Sequence, residues 1–288
     1  MDENGFLLRV MSFNIRTATA RDLRHAWDLR KHLVIQRIRH FDPDLLGMQE
    51  CQDGEQADFI KGALPDYAFI ATHRGEDTRN GREMAPLLYR KERFELLDSG
   101  FFWLSKTPET PGSKLLGSVY PRTVTWARLR PVGSADHDFF FFNTHFDYIV
   151  FILPAAAQVL REGILRITQG GPTVLCGDFN SPSGSAVHRT LTAPIDAQKN
   201  GDPDGITGAF VLTDVSRDSR TTSGEPAGTI HKFGLISRPI IIDWILASGQ
   251  FSAVDAAIDD YNDNGLYPSD HFPITAVLNV DFAMRNAD

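Results

Sequence analysis

Short apolar runs separated by polar turns recur along the chain and predict alternating strands and helices. Residues 7–13 and 45–49 are strand-length apolar runs, and residues 27–40 between them carry apolar side chains near helical spacing. This order predicts a strand, helix, strand unit. The same pattern predicts later strands over 85–89, 94–98, 124–129, 139–144, 173–176, 240–246 and 274–280, and a second helix over 154–167.

Strand and helix segments of this kind occur in both halves of the chain. Their distribution predicts an α/β protein in which two packed, mixed β-sheets are covered by helices on their outer faces. A chain of 288 residues, 42% of them hydrophobic, can bury a large core, and no linker-like or charge-rich stretch divides it. We therefore expect one domain over residues 1–288.

Charge and targeting signals narrow the classes of partner and location. The formal net charge of −8 does not favour broad electrostatic binding of duplex nucleic acid, although a local basic patch stays open. Six early basic residues near helical spacing predict a solvated helix face: Arg21, Arg24, Arg30, Lys31, Arg37 and Arg39. No apolar run suits a signal peptide or a membrane span. We expect a cytoplasmic protein without a transmembrane segment, and no partner protein is evident.

Polar clusters stand where several of the apolar runs end, and one precedes the final run. The clusters are Asn14, Gln49-Glu50, residues 143–147, residues 177–180 and residues 269–271. A single cluster of this type is usually an ordinary polar loop. Because polar groups that repeatedly end buried strands converge at one edge of the sheets, the set predicts a functional site.

Six motifs, taken in order, carry a family resemblance. They are Ser-Phe-Asn-Ile-Arg at 12–16, Gln-Glu at 49–50, Asn-Thr-His-Phe-Asp at 143–147, Gly-Asp-Phe-Asn at 177–180, Ile-Asp-Trp-Ile at 242–245 and Ser-Asp-His at 269–271. The chain thereby resembles the endonuclease/exonuclease/phosphatase superfamily of metal-dependent phosphoesterases, from about residue 10 to residue 278. Residues 87–108 and 121–123 resemble a bacterial subgroup whose substrates are mostly unassigned. The resemblance implies a four-layered α/β/β/α sandwich.

Oxygen donors in these motifs indicate a divalent metal. The resemblance makes Glu50 a ligand of Mg²⁺ or Mn²⁺, with Asn14 beside it and Asp270 as a further contributor. Oxygen ligands suit these cations, whereas the absence of a Cys/His cluster from the sequence disfavours structural zinc. The residues alone leave open that Glu50 caps a helix beginning near Asp53.

The Gly-Asp-Phe-Asn motif supplies two candidate catalytic side chains. Asp178 and Asn180 can face one substrate, the first accepting a proton from water or holding it, the second donating to a phosphate oxygen. Asx side chains in such a turn also bond their own backbone, which is the competing interpretation.

Two histidines complete the expected catalytic group. The resemblance makes His145 a donor to a non-bridging phosphate oxygen, although a lone histidine at a strand end is more often a core residue. Asp243 lies inside an apolar run, where a carboxylate is costly unless paired, and His271 is its expected partner. Such a carboxylate orients the imidazole. Whether Asp178 or His271 is the general base stays open.

Five further residues are expected to bind substrate. Arg122 matches a family arginine near the phosphate, with a surface ion pair as the alternative. Arg74 and Glu83 occupy positions that the subgroup fills with charged residues, and we expect them to line the pocket. Asp147 shares a motif with His145. His231, in the loop before the Asp243 strand, is a further candidate for substrate contact.

The chain departs from its relatives at residues 148–153, Tyr-Ile-Val-Phe-Ile-Leu, where a more polar loop is expected. One interpretation is a helix start packed into the core. The other is an exposed apolar wall that selects a hydrophobic leaving group or docks a partner or lipid.

These features predict a divalent-metal-dependent hydrolase of a phosphodiester or phosphomonoester, acting on a small or lipid-like substrate with water attacking phosphorus. One alternative is a nuclease acting on DNA or RNA, which the acidic balance does not favour. The other is a binding protein on the same scaffold, which would require the loss of catalytic groups that are present here.

Overall fold

Two large mixed sheets form the middle of the protein. The computed structural model describes residues 6–76, 81–194, 210–217, 219–224 and 228–282. Within these ranges the first sheet contains β1 (Phe6–Asn14), β2 (Leu45–Gln49), β4 (Tyr67–Ile70), β6 (Leu87–Arg90), β12 (Arg220–Thr221), β14 (Phe251–Ile258) and β15 (Ile274–Val280). Its strand order is β12-β14-β15-β1-β2-β6-β4.

The second sheet faces the first. In the described residues it contains β7 (Phe94–Trp103), β8 (Thr123–Pro131), β9 (Phe139–His145), β10 (Thr173–Asp178), β11 (Thr213–Asp214) and β13 (Asp243–Ala247), in the order β11-β13-β10-β9-β8-β7. A small separate ladder pairs β3 (Cys51–Gln52) with β5 (Glu83–Met84).

Helices cover the outer face of each sheet. The helices α1 (Trp27–Phe41) and α2 (Glu55–Ala63) share one buried cluster with β1, β2 and β6. The helices α3 (Leu153–Thr168) and α4 (Ala186–Thr192) share a second cluster with β9, β10 and β13. A third cluster lies between the two sheets. These three interfaces make four layers, so the predicted α/β/β/α sandwich is confirmed. Its extent as one domain over 1–288 stays a prediction.

Several boundaries differ from those that the sequence predicts. The strand expected over 85–89 begins only at Leu87, as β6 of the large sheet, while the preceding β5 pairs with β3. The strand expected over 94–98 continues to Trp103. Both β14 and α4 were not predicted, because β14 is largely exposed with a bulge at Ala253/Asp255 and α4 is a short segment that depends on the Ser185 cap.

Two arginines correct the prediction of a solvated face on α1. Arg30 is fully buried, and Arg37 is buried in an ion pair with Asp259, with 2.7 Å between Nε and Oδ2. Helical spacing placed both side chains among polar positions, but it does not show tertiary partners such as the Pro268 carbonyl of Arg30 and the Asp259 carboxylate of Arg37. Of the helices in the described ranges, none is long and apolar enough to cross a membrane.

Alternate residues of each central strand face the space between the sheets, and this inner row becomes polar toward one edge. On β1 the row runs from Leu8 and Val10 to Ser12 and Asn14, as expected for the two-residue repeat of a strand. Corresponding rows on the other central strands are Leu45-Gly47-Gln49, Phe141-Asn143-His145, Val174-Cys176-Asp178 and Ala247-Ile245-Asp243. The intersheet layer therefore ends in functional side chains.

Polar contacts join the two sheets next to that edge. Gln49 Nε2 donates to Asn143 Oδ1 at 2.7 Å, and Asn143 Nδ2 donates to the carbonyls of Met48 and Pro86 at 2.6 and 2.7 Å. Gly47 makes room for this approach, because a Cβ there would lie 2.3 Å from Cys176 Sγ. Both cysteines of the protein are buried free thiols.

We predict that Gly47→Ala lowers the free energy of unfolding by ~1–3 kcal/mol, the usual cost of overfilling a packed core. The added methyl group would also lie 2.7 Å from Asn143 Oδ1. Gly62→Ala is the control, since nothing lies within 4 Å of that Cβ position and alanine suits α2 better by up to ~1 kcal/mol. Urea unfolding measures both, and a parent-like Gly47→Ala protein would show that the sheets are not closely packed there.

Candidate active site

The ends of six strands meet at one edge of the sandwich. The parallel strands β9 and β10 end side by side, with Asp178 opposite His145. The antiparallel strand β13 begins with Asp243 opposite Asp178. In the other sheet, β1 and β2 end together, and β15 begins next to Ser12 shortly after residues 269–271. The topology therefore brings the motifs of the sequence to one place.

Asn14 connects the two sheets within this edge. Its Nδ2 donates to Glu50 Oε1 at 3.1 Å and to Asp178 Oδ2 at 3.0 Å. Its Oδ1 accepts the Arg16 N–H at 3.0 Å. In this arrangement the amide nitrogen, and not the oxygen, faces the carboxylates, so Asn14 holds two of them together. Its predicted role as a metal ligand stays a prediction.

Three residues of the site lie in the left-handed backbone region. The φ angles of Arg16, Glu50 and Asn180 are 55°, 59° and 47°. Such angles are uncommon for residues with a side chain and often occur at functional sites, where the surrounding structure holds them. Each turns the chain within two residues of the end of a central strand.

Glu50 lies against Arg16 and does not cap α2. That helix begins at Glu55, its N-cap is Gly54, and no side chain donates or accepts at this cap. Glu50 Oε2 accepts the Thr17 N–H at 3.2 Å and lies 3.7 Å from Arg16 Nη1. Burial alone would raise the pKa of Glu50, but Arg16 and Asn14 outweigh it and lower the pKa. Glu50 is thus held as a carboxylate.

Arg16, which sequence reasoning did not select, bridges two predicted metal ligands. Its Nη1 also lies 3.7 Å from Asp270 Oδ2, while its Nε and Nη2 donate to Asp22 at 3.0 and 3.1 Å. Burial raises the pKa of Asp270. The available signal for Arg16 was its place in the Asn-Ile-Arg segment at 14–16, but sequence spacing does not show which carboxylates Arg16 contacts.

Asp243 and His271 form the expected buried pair. His271 Nδ1 lies 2.9 Å from Asp243 Oδ2, and His271 Nε2 faces Asp178 Oδ2 at 3.9 Å. Burial disfavours the charged ring, but Asp243 and Asp178 outweigh this effect and raise the pKa of His271 to about 10. Burial, strengthened by the Asp243 charge, raises the pKa of Asp178 to about 7.

Asn180 lies beside Asp178 and His145. Its main-chain N–H donates to Asp178 Oδ1 at 2.9 Å, as in an Asx turn, while its Nδ2 donates to the Phe146 carbonyl at 3.0 Å. The same Nδ2 lies 3.4 Å from His145 Nε2. Asp178 therefore bonds the backbone of its own turn and also lies in the site. The backbone bond does not exclude a catalytic role for the motif.

His145 is a neutral donor next to Asp178. Arg122 Nη1 lies 3.0 Å from His145 Nδ1, and because a guanidinium only donates, the ring proton is on Nε2, 3.5 Å from Asp178 Oδ2. Burial, with Arg122 and Arg74 adding to it, holds the pKa of His145 well below its ordinary value.

Arg122, Arg74 and Glu83 form a buried ion cluster behind His145. Arg122 Nη1 lies 3.3 Å from Glu83 Oε1, which also pairs with Arg74. Burial raises the pKa of Glu83 to about 6, although both arginines oppose the shift. The Tyr120 ring lies 4.3 Å from the Arg74 guanidinium carbon. The cluster carries more positive than negative charge and so suits an anion.

Two predicted substrate-binding residues are engaged elsewhere. Asp147 accepts main-chain N–H groups, from Val119 to Oδ2 at 2.9 Å and from Ile149 to Oδ1 at 3.2 Å. His231 is buried, stacks on Phe272 with 3.8 Å between ring centroids, and accepts the Gly234 N–H at Nδ1. Both side chains hold neighbouring loops in this arrangement, and a direct contact with substrate stays a prediction.

The donor chemistry fits a divalent cation. Glu50 and Asp270 already converge on a positive charge, that of Arg16. In the described part of the chain, Asp178, Asp243 and His271 also place ligand-type atoms within 4.8 Å of one another, and Asp243 Oδ1 is buried there without a hydrogen-bond partner. Carboxylate-rich donor sets of this kind suit hard cations.

The sequence profile of the Endonuclease/Exonuclease/phosphatase family matches residues 11–271. The chain belongs to this family. The matched range contains all six motifs and the whole edge described above. Members of the family hydrolyse phosphoesters and are generally dependent on divalent metals, so the protein is a hydrolytic phosphoesterase and the resemblance seen in the sequence is confirmed.

Solved structures of similar proteins have the same fold. The endonuclease/exonuclease/phosphatase of Bacteroides vulgatus is 30% identical, with 96% of this chain and 100% of that chain covered and a TM-score of 0.82. The mannosyl-6-phosphatase of Bacteroides thetaiotaomicron VPI-5482 is 29% identical, with 94% and 99% covered and a TM-score of 0.78. Protein angel homolog 2 of Homo sapiens is 26% identical over 210 residues, which are 65% of this chain and 37% of that protein.

We predict that Asp243→Asn acts through His271. Each single variant, Asp243→Asn and His271→Ala, should lower kcat by on the order of 10²-fold or more, and the double variant should be little worse than either, because the pair acts as one unit. Steady-state kinetics of the four proteins measures the coupling.

The control is a second buried pair, on the α4 side of the second sheet, in which His188 Nε2 lies 3.0 Å from Asp214 Oδ2. Asp214→Asn should lower stability and leave kcat close to the parent value. Independent, multiplicative losses in the Asp243 and His271 variants would contradict the shared role.

Proposed function

We propose that this protein is a divalent-metal-dependent hydrolase of a small or lipid-like phosphomonoester or phosphodiester, in which water attacks phosphorus. One observation carries the proposal. The Asp178 carboxylate faces side-chain nitrogens of Asn14, His145 and His271 at 3.0, 3.5 and 3.9 Å, where both sheets end. A carboxylate surrounded by donors at an open strand edge suits the proton transfer and charge stabilisation of phosphoryl transfer.

The phosphate group is bound on the side of His145 in this proposal. The Nε2–H of that neutral ring donates to a non-bridging oxygen, and the Asn180 amide donates to the same group. Arg122 holds the ring through Nδ1, which keeps the proton on Nε2. The net positive charge of the Arg74, Arg122 and Glu83 cluster attracts the anion.

Asp178 receives the proton of the attacking water. As the water oxygen forms its bond to phosphorus, the bond from phosphorus to the leaving oxygen breaks. Asp243 fixes the orientation of His271 through Nδ1, so its Nε2 stays directed at Asp178. These positions support two separate roles. Asp178 accepts the proton, and the Asp243–His271 pair keeps the Asp178 carboxylate oriented.

Glu50, with Asp270 and Asn14 nearby, would hold Mg²⁺ or Mn²⁺. When bound, such a cation neutralises charge on the phosphate and leaving oxygens and lowers the pKa of coordinated water. Support comes from the ionised state of Glu50 and its convergence with Asp270 on Arg16.

An exposed apolar surface next to this edge supports an apolar leaving group. We name it the apolar rim; it consists of Leu116, Val119, Tyr148, Val150 and Phe151, all exposed. Ile152 and Leu153, in contrast, are buried at the start of α3, so residues 148–153 are partly core and partly wall. Phe151 is 77% exposed, and a Cβ at Gly117 would lie 2.9 Å from its ring.

The rim is tied to the catalytic strand by hydrogen bonds. Asp147, two residues after His145, accepts N–H groups from both segments of the rim. Between the rim and the phosphate side, Tyr120 covers Arg74. A leaving group that extends from the phosphate would therefore meet apolar side chains on this side.

We predict that turnover requires a divalent cation and that the Glu50→Gln variant loses turnover because it binds the cation weakly. A panel of mannose 6-phosphate, an aryl phosphate, an alkyl phosphodiester and a single-stranded oligonucleotide, each with Mg²⁺, Mn²⁺ or a chelator, measures the activity. Removing one ligand charge should weaken metal binding by ~10²-fold, so excess Mn²⁺ should partly restore the variant.

Glu55→Gln, which removes an exposed carboxylate at the start of α2, is the control and should behave like the parent. Hydrolysis that persists in chelator would contradict metal dependence. Cleavage of the oligonucleotide in preference to the small esters would favour the nuclease alternative, and metal binding without any turnover would favour a binding protein.

We predict that Val150→Ser and Phe151→Ser selectively impair esters with apolar leaving groups. Loss of up to the ~1.5–3 kcal/mol of a buried apolar side chain corresponds to about a 10- to 100-fold lower kcat/KM. The value for mannose 6-phosphate should change little. Val132→Ser is the matched control, because Val132 is also exposed but lies at the opposite end of β8 and β9. An equal effect on all substrates, together with a lower melting temperature, would show that these residues serve only packing.

A further inference from the structure

Arg30 is a fully buried cation whose hydrogen bonds join the two loops of the candidate metal site. On α1 its Nε donates to the His25 carbonyl at 2.9 Å. Its Nη1 donates to the carbonyls of Ile15 and Pro268 at 2.6 and 2.8 Å, and its Nη2 donates to the Arg16 carbonyl at 2.8 Å. All four acceptors are main-chain oxygens.

These acceptors belong to two loops that are far apart in sequence. Residues 15 and 16 directly follow Asn14, while residue 268 shortly precedes Asp270 and His271. A further bond, from Ser269 Oγ to the Asn14 carbonyl at 2.7 Å, joins the same loops. The planar guanidinium fixes three carbonyls of the two loops in one geometry, which a lysine ammonium cannot reproduce.

The charge of Arg30 also suits this position. Asp270, Asp22 and Glu50 are close enough to stabilise it electrostatically, although none of them accepts one of its hydrogen bonds. Rings of Trp27 and Phe233 lie 5.3 and 5.9 Å from its guanidinium carbon. Arg30 thus places positive charge behind the carboxylates without occupying the front of the site.

We propose that Arg30 is a positioning residue that holds the loop after β1 against the loop before β15. Because Asn14 and Thr17, which flank residues 15 and 16 of the first loop, donate to Glu50, this contact sets the separation of Glu50 and Asp270. The inference rests on the proposed metal-dependent function, since its consequence is a site already arranged for the cation. A side chain that touches neither substrate nor metal in this way controls affinity through the residues it orients.

Arg37 provides a matched comparison on the same helix. It lies two turns from Arg30, is also buried, and also reaches the C-terminal part of the chain, through Asp259. It does not contact either loop of the site through the hydrogen bonds described for it. Replacing each arginine with methionine removes one buried cation from α1 while keeping an apolar side chain of similar length.

The test compares Arg30→Met and Arg37→Met by melting temperature, by Mn²⁺ titration followed by electron paramagnetic resonance, and by amide hydrogen exchange. Both variants should melt at lower temperature. Arg30→Met should bind Mn²⁺ ~10- to 100-fold more weakly and exchange faster at residues 15–17 and 269–271, whereas Arg37→Met should retain parent values for both. Arg30→Lys, which keeps the charge, should fold more stably than Arg30→Met and still bind Mn²⁺ more weakly than the parent.

Parent-like Mn²⁺ binding and exchange in Arg30→Met and Arg30→Lys would overturn the positioning role. If Arg30→Met does not fold, Arg30→Lys alone decides by the same two measurements. A parent protein that binds no Mn²⁺ would contradict the proposed function itself, and faster exchange of the two loops in the Arg30 variants would still identify Arg30 as the residue that holds them.

Discussion

The concentration of buried carboxylates at one edge of the sandwich is the constraint on which the rest of this site depends. Glu50, Asp178, Asp243 and Asp270 have little access to water. A carboxylate in such surroundings is costly unless cations and hydrogen-bond donors compensate for the lost hydration. The protein meets this requirement with groups on separate elements, so the site exists only when both sheets and α1 are assembled.

Three cations compensate for this negative charge, each in a different position. His271 is held by Asp243 and directed at Asp178, Arg16 bridges Glu50 and Asp270, and Arg30 lies behind them in contact with carbonyls. His271 and Arg16 face the site, where they can interact with substrate or be displaced by a metal. Arg30, in contrast, is fully enclosed and shapes the site from behind. Within one cluster of charges, some cations can therefore take part in the reaction, whereas Arg30 supports the structure of the site.

The two-residue repeat of the strands explains why the site forms between the sheets. Inner-facing positions are apolar through most of the sandwich, and the same rows become polar toward the edge, with Gln49 and Asn143 bonded across the interface. The register of each strand therefore decides which residue reaches the site, because a shift of one position would turn the whole row outward. The strand register that buries the apolar side chains is therefore also the register that forms the site.

Much of this arrangement could be predicted from the sequence, because strand ends, motif order and helical spacing are local patterns. The pair of Asp243 and His271 followed from the cost of a carboxylate within an apolar run, and the structure places the two side chains 2.9 Å apart. The burial of Arg30 did not follow, since its partners are main-chain oxygens as distant as Pro268. Nor did the left-handed backbone of Glu50, which depends on surrounding packing and leaves no mark on residue type.

A crystal structure with Mn²⁺, measured at the manganese absorption edge, tests whether Glu50 holds the cation while Asp178, Asp243 and His271 act on water and substrate. We expect an anomalous peak bonded to a Glu50 carboxylate oxygen, with the His271 to Asp243 hydrogen bond intact. A cation held by Asp178, Asp243 and His271, with Glu50 unligated, would contradict this assignment.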